Sequence, residues 1–252
     1  MTQQMAKLIR SGGDDEAPPL VFIHGFGADH MTWAFLAPAF AKTHCVWTLD
    51  LPGHGTADNI IGDGTVETLA QSVWHALDGH VSKPVTLVGH SLGGAVALEL
   101  QQDYAVDIAQ LVLLAPSGLV PLQNPHFITR LPQLQTLESA TQHLLDLVEV
   151  KRLISPIIAE YLLDSLASNE RRDALTTIAK ALISRSKLFR TLPANTVLIW
   201  GEQDRIFPPE LLEGQDLGIV PELLGGVGHL LQAEAAQKVA RLMASRIESA
   251  SP

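Results

Sequence analysis

Residues Val85-Thr86-Leu87-Val88 run directly into Gly89-His90-Ser91-Leu92-Gly93-Gly94, and the helix-forming residues Ala95 to Leu100 follow at once. A strand that passes through Gly-x-Ser-x-Gly into a helix is a sharp turn that lifts a serine hydroxyl clear of a sheet edge. The turn holds its serine in a strained backbone conformation, and the flanking glycines are needed because a Cβ at Gly89 or Gly93 would collide with the neighbouring strand or helix. The pentapeptide is short, and its strand-and-helix setting is what makes it informative.

The rest of the chain has to supply a sheet for that strand. Leu20-Val21-Phe22-Ile23, Cys45-Val46-Trp47-Thr48-Leu49, Leu111-Val112-Leu113-Leu114 and Thr196-Val197-Leu198-Ile199-Trp200 are apolar runs of strand length. Such continuous runs fit strands covered on both faces. A short strand is expected within Met5 to Arg10, and a last one at Glu222-Leu223-Leu224. Between them, Met31 to Ala41 reads as a helix with Trp33, Leu36 and Phe40 on one face, Thr65 and Glu67 open a helix to Leu77, and Ala233 to Ile247 forms a final amphipathic helix. Alternating strands and helices predict an α/β fold, a mostly parallel sheet with helices on both faces.

The alternation breaks between Leu119 and Leu192. Thr136 to Val150 suits a helix, Ser155-Pro156 reads as an N-cap followed by proline at the first helical position, and Asn169-Glu170 opens another helix. Residues 1–118 and 193–252 are therefore expected to form the core, with 119–192 inserted as a helical cap over the strand ends.

Composition narrows the partners. The 252 residues are 46% hydrophobic and 17% charged, with a net charge of −10 and no Lys/Arg run, which speaks against nucleic acid or an anionic membrane as a partner. Cys45 is the only cysteine, so neither an intramolecular disulfide nor a thiolate metal cluster can form, and it reads as a small buried hydrophobe. Met1 to Arg10 lacks the apolar core of a secretory signal, and no segment approaches the ~20 apolar residues needed to cross a bilayer. A cytoplasmic location is expected.

In an open parallel sheet, ligands bind at the carboxyl ends of the strands. His24-Gly25-Phe26-Gly27, Ser91, Asp204 and His229 all follow predicted strands, so the topology brings them to one rim. A serine hydroxyl needs a base to take its proton. His229, in the turn Gly226-Val227-Gly228-His229, is suited to that task, because an imidazole can take a proton and return it to a leaving group. Asp204 would accept the other ring N–H and hold the tautomer, with Glu202 the alternative carboxylate. The order Ser91, Asp204, His229 separates this arrangement from other serine triads. The backbone N–H groups of Phe26 and Leu92 are candidates to face the developing oxyanion. The Phe26 ring and His90 are candidate substrate contacts, although His90 also suits packing within the turn. Asp50 and His54 are expected to hold the Gly-Pro loop at Pro52-Gly53, and His24 to brace the Gly25-Gly27 loop. No residue set implies a metal, nucleotide or flavin, and the chemistry needs no cofactor.

Together His24-Gly25-Phe26-Gly27, Asp50-Leu51-Pro52-Gly53-His54-Gly55, Gly89-His90-Ser91-Leu92-Gly93-Gly94, Trp200-Gly201-Glu202-Gln203-Asp204 and Gly228-His229 resemble the α/β-hydrolase superfamily over about Leu20 to Arg241. Carried over residue by residue, the resemblance implies a triad of Ser91, Asp204 and His229 and oxyanion donors at Phe26 and Leu92. There is room for one strand before Leu20, so the first of the usual eight strands is expected to be missing. Within the superfamily, His24 to Asp29 with Trp33, the elbow with Ala95 to Leu98, and Ala115 to Leu119 look similar to the hydrolase-like domain of acetoin dehydrogenase acyltransferase subunits. Those subunits carry a lipoyl domain and none is expected here, so the resemblance implies either a lipoyl-bearing partner or a stand-alone esterase. Carbon–carbon hydrolases are a weaker resemblance, carried by Gln232 and Glu234 after His229. The resulting expectation is a serine hydrolase acting on a small ester or thioester, with acyl transfer, carbon–carbon hydrolysis and a silent binding domain as alternatives.

Overall fold

The computed structural model describes residues 6–81, 84–104 and 106–248. Among the described residues, seven strands form one sheet: β1 (Lys7–Gly12), β2 (Pro19–Ile23), β3 (Cys45–Asp50), β4 (Val85–His90), β5 (Ile108–Leu114), β6 (Thr196–Gly201) and β7 (Glu222–Leu224). Their spatial order is β1-β3-β2-β4-β5-β6-β7, with β1 antiparallel to β3 and every other neighbour parallel. The apolar runs account for this, since β2, β4 and β6 are buried along their whole length while the edge strand β1 is partly exposed. Among the described residues one strand, β1, precedes Pro19; Met5, where that strand was expected to begin, lies outside them.

β4 sits between β2 and β5 and leads into α2 (Leu92–Asp103), which packs on α1 (Val66–Leu77). Thr65 caps α1, its hydroxyl accepting from the N–H of Thr68 at 3.3 Å. Buried side chains from both faces of the sheet join one large core that includes Trp33, Phe22 and Trp200.

Three helical segments differ from the sequence expectation. Met31 to Ala41 is two 3₁₀ turns, His30–Trp33 and Ala37–Phe40, and not one α-helix. Asp29 caps the first turn and Pro38, which has no N–H to donate, is the second residue of the second; Trp33, Leu36 and Phe40 are nevertheless all buried. The helix expected over Thr136 to Val150 is α4 (Leu137–Leu145), opened by a Thr136/Ser139 capping box. It stops because the carbonyl of Leu147 turns out to accept from the N–H of His229. The final helix is divided at Ala235 into α7 (Leu231–Glu234) and α8 (Ala236–Glu248).

Between β5 and β6 lie α3 (Pro125–Arg130), α4, α5 (Pro156–Ser165) and α6 (Asn169–Ser184). They hold an apolar cluster of their own that includes Leu131, Leu144, Leu162 and Leu175. Tyr161 donates to Asp29 at 2.6 Å, and Arg171 donates to Gly55 O at 3.0 Å, tying α5 and α6 to loops of the sheet rim. Where the chain leaves α6, Lys187 and Arg185 converge on Glu99 of α2, at 2.7 and 3.2 Å. That carboxylate is fully buried, so its two cationic partners offset a desolvation cost of several kcal/mol, on the order of that of any buried ion. Among the described residues, no helix is long and apolar enough to cross a membrane.

Candidate active site

Ser91 stands at the end of β4 with φ 51° and ψ −117°, a conformation that a side-chain-bearing residue adopts only when its surroundings impose it. The surroundings here are backbone. A Cβ on Gly89 would lie 2.5 Å from Gly93 O, and one on Gly93 would lie 2.1 Å from Ile23 O. The glycines thus let β4, α2 and the end of β2 approach closely enough to force the turn. A Cβ on Gly25 would lie 3.0 Å from that of Ser91, so the His24-Gly25-Phe26-Gly27 loop presses directly on the elbow.

The loops after β6 and β7 supply the other partners. His229 Nδ1 donates to Asp204 Oδ2 at 2.8 Å, and both side chains are buried. Asp204 is heavily hydrogen-bonded: Oδ1 accepts from the N–H groups of Ile206 (2.8 Å) and Phe207 (3.0 Å), and Oδ2 also accepts from Trp200 Nε1 at 3.1 Å. These donors hold the carboxylate aimed at the ring. With Nδ1 protonated, Nε2 is the free basic nitrogen of His229. The ring lies between Phe207 and His90, at centroid distances of 5.7 and 4.8 Å. Ser91 Oγ and the ring are not hydrogen-bonded in this state; such contacts are often long before substrate binds. Glu202, the alternative acid, is exposed and makes no bond to His229.

Ser91, Leu92 and Phe26 line an open cleft with about 560 Å³ of atom-free space, part of it open to solvent, walled by Val120, Leu122, Ile128, Leu182, Leu188 and Phe207, with Ser117, Arg185 and Lys187 among its polar members. The N–H groups of Phe26 and Leu92 have no backbone acceptor among the described residues, and the side chain of Ser91 does not cap α2. Two unengaged donors therefore sit at the loop and helix start beside Ser91.

His90 corrects an expectation. Its ring does not border the cleft; it is buried, with Nε2 donating to the carbonyl of His229 at 2.9 Å and its other face edge-on to Trp33. Alternation along β4 explains this, because His90 and Ser91 leave the backbone on different sides. Burial, and then the neighbouring His229, keep the His90 ring neutral well below its ordinary range. His24 also has a bracing position, its Nδ1 donating to Gly25 O (2.7 Å) and its Nε2 accepting from Leu51 N–H (3.0 Å). Asp50 accepts from the N–H groups of His30 (2.8 Å) and Thr56 (2.7 Å), and His54 donates to Pro52 O (3.0 Å), which fixes the Gly-Pro loop. The cleft walls Val120, Leu122 and Ile128 were not singled out from sequence, where nothing separates them from ordinary core residues.

The sequence profile of the alpha/beta hydrolase family matches residues 20–242. The chain belongs to that family. The dihydrolipoyllysine-residue acetyltransferase component of the acetoin cleaving system from Pseudomonas putida is 30% identical over 237 residues, covering 92% of this chain and 64% of that protein. The chain thus spans about 64% of the length of this relative. Human monoacylglycerol lipase ABHD6 is 26% identical, with 92% of this chain and 76% of the lipase covered. Among solved structures, a putative lipase from Acinetobacter baumannii superposes with a TM-score of 0.82 at 23% identity over 95% of this chain and 87% of that one. A meta-cleavage product hydrolase from Pseudomonas fluorescens superposes with a TM-score of 0.83 at 19% identity, over 98% and 95% of the two chains. At such identities these structures speak for the alpha/beta hydrolase fold alone.

Proposed function

We propose that this alpha/beta hydrolase is a serine hydrolase that cleaves a small carboxylic ester or thioester through an acyl-Ser91 intermediate. The observation that carries the reading is the buried His229–Asp204 pair beside an elbow-borne serine that opens onto an apolar cleft. In this mechanism His229 Nε2 takes the proton of Ser91 as Oγ attacks the substrate carbonyl, and Asp204 stabilises the imidazolium that forms. The tetrahedral oxyanion faces the N–H groups of Phe26 and Leu92, donors worth a few kcal/mol (about 3) of barrier each in comparable sites. Collapse of the intermediate expels the alcohol or thiol, protonated by His229, and a water activated by the same ring then releases the acid. The residues act without a cofactor.

The test is turnover of p-nitrophenyl acetate and butyrate, together with labelling by a fluorophosphonate probe. Ser91→Ala abolishes both in this reading, and unchanged rates in that variant sink it. A native protein that neither turns over nor labels would instead be a silent binding domain.

A second reading follows from the acetoin-system relative, whose name describes acetyl transfer to a lipoyl group. Here a thiol such as dihydrolipoamide, presented by a lipoyl-bearing partner, intercepts the acyl-Ser91 faster than water does. Comparing acetyl release to water with transfer to added dihydrolipoamide separates the two, and transfer no faster than hydrolysis excludes the second.

A further inference from the structure

The loops carrying Asp204 and His229 are held by more than the sheet. Residues 147–150, just beyond α4 in the inserted region, form a seam with both. The carbonyl of Leu147 accepts from the N–H groups of His229 (2.8 Å) and Leu230 (3.3 Å). Glu234, in α7 directly after the base, spreads its carboxylate across the seam: Oε2 accepts from the N–H groups of Glu149 (2.7 Å) and Val150 (2.8 Å), while Oε1 accepts from that of Gly228 (2.9 Å). On the acid's side, Arg205 donates to Val148 O at 3.4 Å and pairs with Glu149.

The fit is close. A Cβ on Gly228 would lie 2.8 Å from Glu149 N, 2.9 Å from Leu147 O and 3.0 Å from Glu234 Oε1, so the seam has no room for any side chain at the position before the base. The backbone of His229 is consequently pinned from two directions, its N–H by the inserted segment and its C=O by His90 of the elbow. A carboxylate that satisfies three backbone donors from two chain segments is a joint.

We propose that Glu234 is a positioning residue: by joining segment 147–150 to the turn at Gly228, it sets where the His229 ring stands relative to Ser91 and Asp204. The inference rests on the serine hydrolase reading above. Removing the carboxylate frees three N–H groups, loosens segment 147–150, and releases the carbonyl that holds the N–H of His229. Displacement of a catalytic group by ~1 Å costs on the order of 10²-fold in rate.

The experiment uses the full chain with Glu234→Ala, Glu234→Gln and Gly228→Ala. Each is measured for kcat and KM on p-nitrophenyl butyrate, for reactive sites by fluorophosphonate titration, and for folding by circular dichroism and thermal melting. Glu234→Ala lowers kcat per titrated site about 10²-fold with KM within about threefold, because the fault lies in geometry and not in the cleft. Glu234→Gln keeps one accepting oxygen and turns an NH₂ toward the remaining N–H, giving an intermediate loss of about tenfold. Gly228→Ala, which disrupts the seam sterically, reproduces the alanine phenotype. Where Glu234→Ala fails to fold, the glutamine variant carries the comparison. Folded variants with native kcat per titrated site overturn the proposal, as does a loss explained wholly by fewer reactive sites or by KM. A native protein that neither hydrolyses ester nor labels overturns the serine hydrolase reading and this inference with it; an active native protein with indifferent variants overturns this inference alone.

Discussion

Asp204→Asn exchanges one oxygen for NH₂ at a carboxylate whose two oxygens are both occupied by donors. Oδ1 receives the N–H groups of Ile206 and Phe207, and Oδ2 receives Trp200 Nε1 and His229 Nδ1. The new amide has only one accepting atom, so its NH₂ must face one of these pairs. Facing the backbone pair, it sets a donor against two buried N–H groups that cannot change, at about 1–3 kcal/mol for each group left unsatisfied. Facing the other pair is cheaper: Trp200 Nε1 keeps its bond to Phe207 O at 2.8 Å, and the imidazole can shift its proton to Nε2 and accept at Nδ1. The asparagine variant therefore folds with the wrong tautomer, its Nε2 carrying a proton where the proposed mechanism needs a base. In a triad, that fault lowers kcat by roughly 10⁴-fold, equivalent to about 5.5 kcal/mol of barrier. Steady-state hydrolysis of p-nitrophenyl butyrate, normalised to fluorophosphonate-reactive sites, measures it, with urea denaturation confirming a loss of stability of no more than a few kcal/mol (~3). A well-folded Asp204→Asn enzyme retaining more than about a tenth of native kcat refutes the claim that Asp204 fixes the tautomer of His229.

Two further outcomes are expected. Gly93→Ala places a Cβ 2.1 Å from Ile23 O in a central strand; because backbone there cannot yield, urea midpoints should show a loss of at least ~3 kcal/mol, and a native midpoint contradicts the packing argument. His54 and His143 are both lowered from 6.5 to about 3, chiefly by burial, helped by His24 in the first case and Arg130 in the second. Since the unfolded chain protonates each ring below 6.5 and the folded chain only near 3, their stabilisation is complete above the upper value and falls with pH toward the lower. The slope is up to ~1.4 kcal/mol per pH unit for each ring. Urea midpoints between about pH 7 and about pH 5 should fall accordingly, and His143→Leu should reduce the slope by one ring's share; an unchanged slope refutes it.

What was legible in the sequence was local. Apolar runs marked β2 to β6, and Gly-x-Ser-x-Gly marked the elbow, because the backbone conformation at Ser91 and the close approach at Gly93 demand glycine wherever they occur. Asp204 and His229 were legible because each directly follows a strand, so fold topology carried them to the same rim. Contacts made between distant segments left no local pattern. The early end of α4 depends on Leu147 meeting His229, and the orientation of His90 depends on a carbonyl 139 residues away. Glu99 would pass for a surface residue of α2, and only the return of the chain at Arg185 and Lys187 shows why it is buried. The 3₁₀ turns around Trp33 keep the apolar spacing of a helix, which is why the periodicity there indicated burial correctly and helix type incorrectly.

Two of the anchorages of the inserted region also mark where the gene can be cut. The seam at 147–150 belongs to the loops of Asp204 and His229, and Arg185 with Lys187 belongs to the buried Glu99. A chimera whose junctions fall between these points exchanges α5 and α6 while every one of those bonds keeps its own partner, and the rim contacts of Tyr161 and Arg171 are rebuilt. Within that window only Leu182 lines the cleft, whereas Val120, Leu122, Ile128 and Leu188 lie outside it. Recombination among relatives can thus replace α5 and α6 and leave nearly all of the pocket wall intact, so that the two are open to selection separately.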